Sequence, residues 1–393
     1  MIYVGIDVAS EKHDCCILDG EKKEIKSFSF SNTAQGFALF LREILQETTA
    51  NEIRIGLEAT GIYGDNLVAF LRQNGLEVCS FNPLIVKNRH SGTTLRKTKT
   101  DVTDAKFIAY LVAGEDFQPN PDTVYHISEL KSLSRARFHL VSQRSSLKNK
   151  MKALLHTLFP EFTLYFSDVF GASAMAVMEN YPSAKNVAEC KLSALTKIIK
   201  DASRNRSGKE KAAALIDGAK NSIGIHSSAK ALELQMLAEQ IRLYNKHIDN
   251  FDREIRRLMQ EVDSTITSVP GIGFTLGAMI LGEIGSVERF ATPAKLLAFA
   301  GLEPSIYQSG KFTPASGKMV KRGSPYLRYA LMQAARLVSQ YDPTFSLYLK
   351  KKLEEGKSYT VATSHVAKKL VRILFAILKN NTAYSPNYSL FAA

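Results

Sequence analysis

Two aspartates, Asp101 and Asp104, stand three residues apart in "KTKTDVTDAK" (residues 97–106), directly ahead of the apolar run "AKFIAYLVAG". Phe107, Ile108, Leu111 and Val112 recur there at helical spacing and Gly114 supplies a stop, so the run reads as a helix. Both carboxylates then lie on one side of its first turn. Such a pair has two chemistries open to it. One acid, or Thr100 or Thr103, could cap the helix while the other complements its positive end. Alternatively, both hold a divalent cation, which relieves their mutual repulsion and prefers oxygen ligands. The choice depends on whether other carboxylates converge on the same place.

Two further acids meet that requirement. Residues 2–9 form a short apolar strand carrying Asp7, and "IRIGLE" is a strand closed by Glu58, with Gly56 and Gly61 beside it. Strand ends are where α/β sheets gather ligand-binding groups. Alone, either acid reads as a solvated strand terminus. Together, Asp7, Glu58, Asp101 and Asp104 form a set able to hold two Mg²⁺ ions for phosphodiester chemistry.

The elements that must position these acids follow from periodicity. "HDCCILDG" and "KKEIKSFSFSN" read as two strands joined at Asp19-Gly20, continuing a meander from the first strand. "TAQGFALFLREILQE" is helical, "EIRIGLEATG" a strand, "YGDNLVAFLRQNG" a helix and "LEVCSFNP" a strand. A meander followed by alternating strands and helices implies a mixed sheet with helices on its faces, the order found in ribonuclease-H-like domains.

Composition narrows the partners. The 393 residues suffice for two or three domains, and 45% hydrophobic content supports real cores. Fifty-one Lys and Arg against 38 Asp and Glu leave a formal net charge of +13, which points to a polyanion, nucleic acid before membrane. No apolar run approaches the roughly 20 residues that span a bilayer. The opening "MIYVGIDVAS" has no basic leader, and Cys15, Cys16, Cys79 and Cys190 show no metal-ligand spacing. The expectation is a cytoplasmic protein with reduced thiols and no membrane partner.

Residues 128–160 carry Lys131, Arg135, Arg137, Arg144, Lys148, Lys150 and Lys152 on a helical pattern of leucines, a basic amphipathic helix suited to nucleic-acid backbone. Residues 161–227 read as short helices between polar loops, with no role assigned. From Leu234 to Val262 the apolar positions alternate spacings of three and four, a heptad seam. Self-association as a coiled coil is the expectation, and pairing with the basic helix satisfies the seam equally well. "TSVPGIGFTLGAMILGEIGSVERF" has the form of a helix-hairpin-helix, in which Gly271 and Gly273 let backbone N–H groups approach a phosphate.

"YVGIDVASEKHD", "GLEATGIYGDNL" and "KTDVTDAKFIA" resemble the DEDD domain of transposases of the insertion-sequence one-ten family, a RuvC-like nuclease fold to which the Piv-type DNA invertases are related. "AFAGLEPSIYQSGKFTPASGKMVKRGSPYLRYALMQAARL" resembles the C-terminal domain of the same family. There a serine in a Tyr-x-Ser-Gly context is the nucleophile, which here is Ser309, although Gln308 and Lys311 replace a second serine and glycine common in the family. Lys318, Lys321, Arg322 and Arg328 suit DNA phosphates or a pentacovalent phosphate. The resemblance implies Mg²⁺ on the four acids, a covalent phosphoserine to DNA, and donor and target DNA chosen by a structured guide (bridge) RNA. It also implies dimers and tetramers in which different subunits supply acids and serine.

The expected fold is α/β plus mainly α. A RuvC-like mixed sheet with helices occupies residues 1–125, the basic helix and coiled coil 126–262, and a helical domain with helix-hairpin-helix and serine loop 263–393. Competing functions are a Piv-like site-specific invertase, a metal-dependent junction nuclease that leaves Ser309 without a task, and a nucleic-acid-binding scaffold without catalysis.

Overall fold

The computed structural model describes residues 1–58, 63–81, 86, 101–114, 125–206, 208–304 and 319–386. The chain divides into two compact units, Met1–Asp122 and Thr123–Ala393.

The first unit opens with β1 (Ile2–Asp7), β2 (Lys12–Leu18) and β3 (Glu24–Ser31), followed by α1 (Ala34–Leu45), β4 (Ile53–Glu58), α2 (Asp65–Gln73), β5 (Glu77–Phe81) and α3 (Asp101–Val112). The strands form one sheet in the order β3-β2-β1-β4-β5. The β1–β2 and β2–β3 pairs are antiparallel, while β1–β4 and β4–β5 are parallel. This is the mixed sheet that the sequence predicts.

Side-chain alternation sorts the two faces. Val4, Ile6, Ile17, Ile55 and Leu57 join Phe37, Phe40 and Ile44 of α1 and Leu67 and Leu71 of α2 in one core. Each such side chain contributes roughly 1.5–3 kcal/mol on burial. Tyr3, Cys16 and Leu18 on the other face meet Ala105 and Ala109 of α3. Small residues bring α3 close: a Cβ at Gly5 would fall 2.1 Å from the Ala105 carbonyl oxygen, and one at Gly56 would fall 2.3 Å from Val112 Cγ2. The Lys106 ammonium, 2.6 Å from Glu24, ties α3 to the edge strand and holds the Glu24 carboxyl below its usual range.

The second unit is helical: α4 (Tyr125–Leu158), α5 (Phe162–Tyr165), α6 (Ala172–Asn180), α7 (Ala184–Ala188), α8 (Leu192–Ser203), α9 (Lys209–Lys220), α10 (Ser228–Val262), α11 (Phe274–Ile284), α12 (Pro293–Phe299), α13 (Pro325–Tyr341), α14 (Pro343–Glu354) and α15 (Tyr359–Asn380). Two buried clusters fill it. Leu155 and Leu158 of α4 and Leu234, Leu237 and Ile241 of α10 pack with α5 to α9. Ile127 and Leu130 of α4 and Ile255 and Leu258 of α10 pack with α11 to α15.

These pairings make α4 and α10 antiparallel, so the seam takes the second of its two expected partners, the basic helix of the same chain. The heptad seam of α10 closes on α4 of the same chain, because that helix supplies apolar partners of matching length. The helix-hairpin-helix expectation is corrected. A 3₁₀ turn, Thr265–Ser268, stands where its first helix was expected. Gly271 has φ of +90°, and a Cβ there would lie 2.8 Å from the Leu337 carbonyl carbon, so its task is packing on α13. Gly273 is the N-cap of α11, with open space where its Cβ would be. Among the described residues no helix is long and apolar enough to cross a membrane.

Candidate active site

Asp7 and Glu58 are the last residues of adjacent parallel strands, each one step beyond the paired Ile6 and Leu57. Neighbouring strands lie about 4.8 Å apart. Both acids fall two residues after a glycine that faces α3, Gly5 and Gly56, so their side chains leave the sheet on the α3 face. α3 presents Ala105 and Ala109 to Gly5, so it packs on the face from which Asp7 and Glu58 project, and Asp104 lies in its first turn. Asp101 is the first residue of α3, and its carboxylate lies outside the described residues. Among the described residues no three acids, histidines or cysteines converge closely enough to hold a metal ion. The donor chemistry itself, carboxylates at strand ends and in a helix's first turn, matches a hard divalent cation.

Sequence spacing missed a further acid on this face. Asp14 of β2 is the direct cross-strand partner of Asp7. Opposed residues of an antiparallel pair share a face, and like charges so placed repel. Asp14 is 5% exposed, accepts a hydrogen bond from Ser29 Oγ and lies 3.6 Å from Lys12 Nζ. No motif marks it; only the strand register brings it beside Asp7. Its neighbour His13 points to the opposite face, fully buried against Phe30 and Phe37 with Nδ1 accepting from the Ala9 amide. Burial depresses its pKa, and the Asn32 side chain and the Asp14 charge offset part of that effect.

Ser309 and Lys318 lie outside the described residues. The described residues on either side, up to 304 and from 319, are tied together as a stem. Pro304 and Met319 form an antiparallel bridge, Val320 N–H donates to Glu303 O at 2.9 Å, and Ser324 N–H to Phe299 O at 2.8 Å. Gly323, at φ +115°, lies where a Cβ would come 2.1 Å from Phe299 O. Arg328 donates to Lys321 O at 3.1 Å, so its guanidinium fixes the stem. Lys321, in the left-handed region at φ +54°, and Arg322 are exposed beside it.

Immediately after the stem lies a buried polar network. Ser324 caps α13 by accepting from Leu327 N–H, and its hydroxyl donates to Glu283 Oε2 at 2.6 Å. Arg135 grips the same carboxylate through Nε at 2.6 Å and Nη2 at 3.0 Å, with its guanidinium 4.5 Å from the Tyr326 ring centroid. That pairing raises the Arg135 pKa. The Tyr326 hydroxyl is 2.9 Å from His139 Nε2. The network joins α4, α11 and the start of α13.

It also changes the reading of the basic helix. Arg137 makes a bidentate pair with Asp252 at 2.6 and 3.0 Å, and Arg144 donates to Asn245 Oδ1 at 2.7 Å. Lys148 lies 4.5 Å from the Phe170 ring centroid, and burial lowers its pKa. Arg135, Arg137 and Arg144 therefore bond within the unit, because α4 lies between α10 and α11 and meets their polar groups. The helix does not present them as an open basic face.

A family model described as a transposase, the DEDD domain of IS110, matches residues 4–160, and one described as the transposase of the IS116/IS110/IS902 family matches residues 263–350. The uncharacterized 44.8 kDa protein of insertion element IS116 from Streptomyces clavuligerus is 27% identical, over 98% of this chain and 96% of its own length. The uncharacterized 42 kDa protein of insertion element IS900 from Mycobacterium paratuberculosis is 23% identical over 100% and 99%. The pilin gene-inverting protein of Moraxella bovis is 23% identical over 97% of each chain. T. thermophilus RuvC in complex with a Holliday junction substrate aligns at 13% identity with a TM-score of 0.22, over 28% of this chain and 90% of that one. With both family models matched in a single chain and relatives aligned along nearly its whole length, the protein belongs to the IS110/IS116 family of transposases.

Proposed function

We propose that the protein is a DNA recombinase that breaks and rejoins strands through a covalent serine intermediate. What supports this reading is that Asp7 and Glu58 end adjacent parallel strands on the face that α3 covers, in a chain that also matches the family's C-terminal domain. Asp7, Glu58, Asp101 and Asp104 would hold the cation, and the opposed Asp7 and Asp14 favour a positive charge between strands and helix. Bound there, Mg²⁺ supplies charge neutralisation and Lewis acidity at the scissile phosphate.

Ser309 is the nucleophile. A serine hydroxyl needs activation at neutral pH. Its Oγ forms a bond to phosphorus while the bond to one deoxyribose oxygen breaks; the seryl proton is lost to solvent, and the released sugar oxygen takes up a proton. The phosphoserine diester keeps the energy of the broken bond, so the reverse attack by another strand's hydroxyl reseals DNA without ATP. Lys321 and Arg322, both exposed, contact DNA phosphates. A structured RNA selects donor and target by base pairing, and the protein acts as a homo-oligomer.

The test is a suicide-substrate assay with the full chain, Mg²⁺, element-end DNA and co-purifying RNA, resolved on denaturing gels. A protein–DNA adduct lost in both Ser309→Ala and Asp104→Ala is expected. Cleaved DNA without an adduct, retained in Ser309→Ala and lost in Asp104→Ala, would make the protein a hydrolytic junction nuclease. The full-length similarity to a pilin gene-inverting protein favours one second reading, site-specific inversion by the same chemistry. A plasmid carrying two inverted sites separates the two: inversion leaves both sites on the plasmid, whereas transposition moves the element.

A further inference from the structure

A 3₁₀ turn, Val287–Arg289, follows α11, and local sequence fixes how it sits. Ser286 Oγ accepts from the Glu288 N–H at 3.3 Å, and the Phe290 N–H returns to Val287 O at 3.0 Å. Phe290 is buried in the helical core and Val287 packs against it, so the turn is anchored at both ends. Arg289, between these anchors, stays exposed. Its guanidinium carbon lies 5.0 Å from the Phe290 ring centroid and 4.8 Å from that of Phe299, the last residue of α12, and the two centroids are 5.4 Å apart. Gly285, at φ +68°, puts no side chain beside the guanidinium; a Cβ there would lie 3.9 Å from Nη1.

Arg135 and Arg137 each grip a carboxylate, and Arg328 donates to backbone carbonyls. Arg289 does neither. Among the described residues it has no hydrogen bond and no ion pair, its neighbour Glu288 included, and the one influence on its pKa is desolvation by the surrounding chain, which lowers it. A partly desolvated charge ordinarily has an acid or a hydrogen-bonded partner. Here two aromatic rings attract the cation and leave its fork of N–H donors open to a ligand. Such a fork, held in place and reachable from solvent, matches an anion with paired oxygens, a phosphodiester or a carboxylate.

The surroundings decide between them. Phe299, which carries the guanidinium on its ring, also takes the Ser324 N–H on its carbonyl at 2.8 Å, and Gly323 sits against that carbonyl. Phe299 thus joins Arg289 to the stretch that holds Lys321 and Arg322, both exposed. Several cations supported by one residue fit the repeating charge of a nucleic-acid backbone better than a single carboxylate. We propose that Arg289, seated over Phe290 and Phe299, grips a backbone phosphate of the DNA undergoing exchange, as a positioning residue. Its donors reach the non-bridging oxygens and fix the register of the strand without reading its sequence. The assignment rests on the recombinase reading for the identity of the DNA, but the contact itself is measured without cleavage.

The experiment is a fluorescence-anisotropy titration with labelled element-end duplex DNA across a salt series, using the full chain with co-purifying RNA in a Ser309→Ala background. Arg289→Ala is expected to weaken binding about tenfold and to flatten the slope of log K against log salt by about 1, at an unchanged melting temperature. Arg289→Lys should keep the slope and lose affinity several-fold, because the charge stays and the fork is gone. Lys246→Ala, which removes an exposed charge from α10, should change neither. Unchanged affinity and slope in Arg289→Ala, or an equal loss in Lys246→Ala, overturns the assignment. So does weaker binding that follows a lowered melting temperature with the slope intact, which would make Arg289 structural. A change in sedimentation with DNA affinity intact would give the fork to a carboxylate of a second copy and overturn it as well. Failure of the suicide-substrate assay leaves each of these outcomes readable, so the two readings fail separately.

Discussion

Asp14 and His13 are adjacent on β2 and point to opposite faces, so one strand carries two separate chemistries. Asp14 stands opposite Asp7 and is anchored by Ser29 and Lys12. Asp14→Asn should weaken Mg²⁺ binding about tenfold, as removal of a residue that supports metal ligands does, with the fold intact. Isothermal titration checks this, and unchanged affinity would reduce Asp14 to a structural acid. His13 is buried, and desolvation depresses its pKa below the ordinary value near 6.5. A group whose folded pKa is depressed contributes stability that is complete above the unfolded pKa and declines as pH falls through 6.5 toward the folded value. Amide hydrogen exchange in β1 and β2 should therefore accelerate more between pH 7.5 and 5.5 in the wild type than in His13→Leu, after correction for intrinsic rates.

The elements that position the site depend on close approach and on one buried ion pair. α3 seats on the sheet only because residues 5 and 56 lack a Cβ. Gly5→Ala places a carbon where Ala105 O and Ala109 N already are, and should cost about 1–3 kcal/mol as an overpacked contact. Limited proteolysis within α3 and loss of DNA cleavage should appear together. In the second unit, the Glu283 side chain is 2% exposed and holds both Arg135 and Ser324. Breaking such a pair costs about 3 kcal/mol, the low end of the range because the Arg135 side chain is 39% exposed. Glu283→Ala should lower the denaturant midpoint of the second unit by a corresponding amount. The stem of the Ser309 segment should loosen with it, since Ser324 N–H bonds to Phe299 O at that point.

For the whole molecule, the pairing of α4 with α10 decides how charge and apolar surface are shared. The seam that looked like an oligomer contact holds the two buried clusters of the second unit to a common frame. Ile248, 4% exposed near the middle of α10, tests this. Ile248→Asp places a carboxylate at a buried position and should unfold the second unit equally at low and high protein concentration, as followed by circular dichroism. A transition that moves with concentration would show instead that the seam joins two chains. The net charge of +13 is carried partly by arginines that bond within the unit. Lys131, Lys150 and Lys152 of α4, and Lys321 and Arg322 beyond it, stay exposed.

Much of the first unit was legible because its signals are local. Period-two strands, glycine stops and a helix opening on acids are visible in any window of a few residues, and they led to the sheet and to α3. Three features were not local, and tertiary structure alone decided them. Asp14 joins the acids through antiparallel register, a pairing between residues 7 and 14 that no spacing rule encodes. The α10 seam has the same heptad pattern whether its partner is another chain or α4, since apolar periodicity states that a face is buried but not against what. Arg135 and Arg137 read as a free basic face because their acids, Glu283 and Asp252, are distant in sequence and meet them only once α10 and α11 pack on α4.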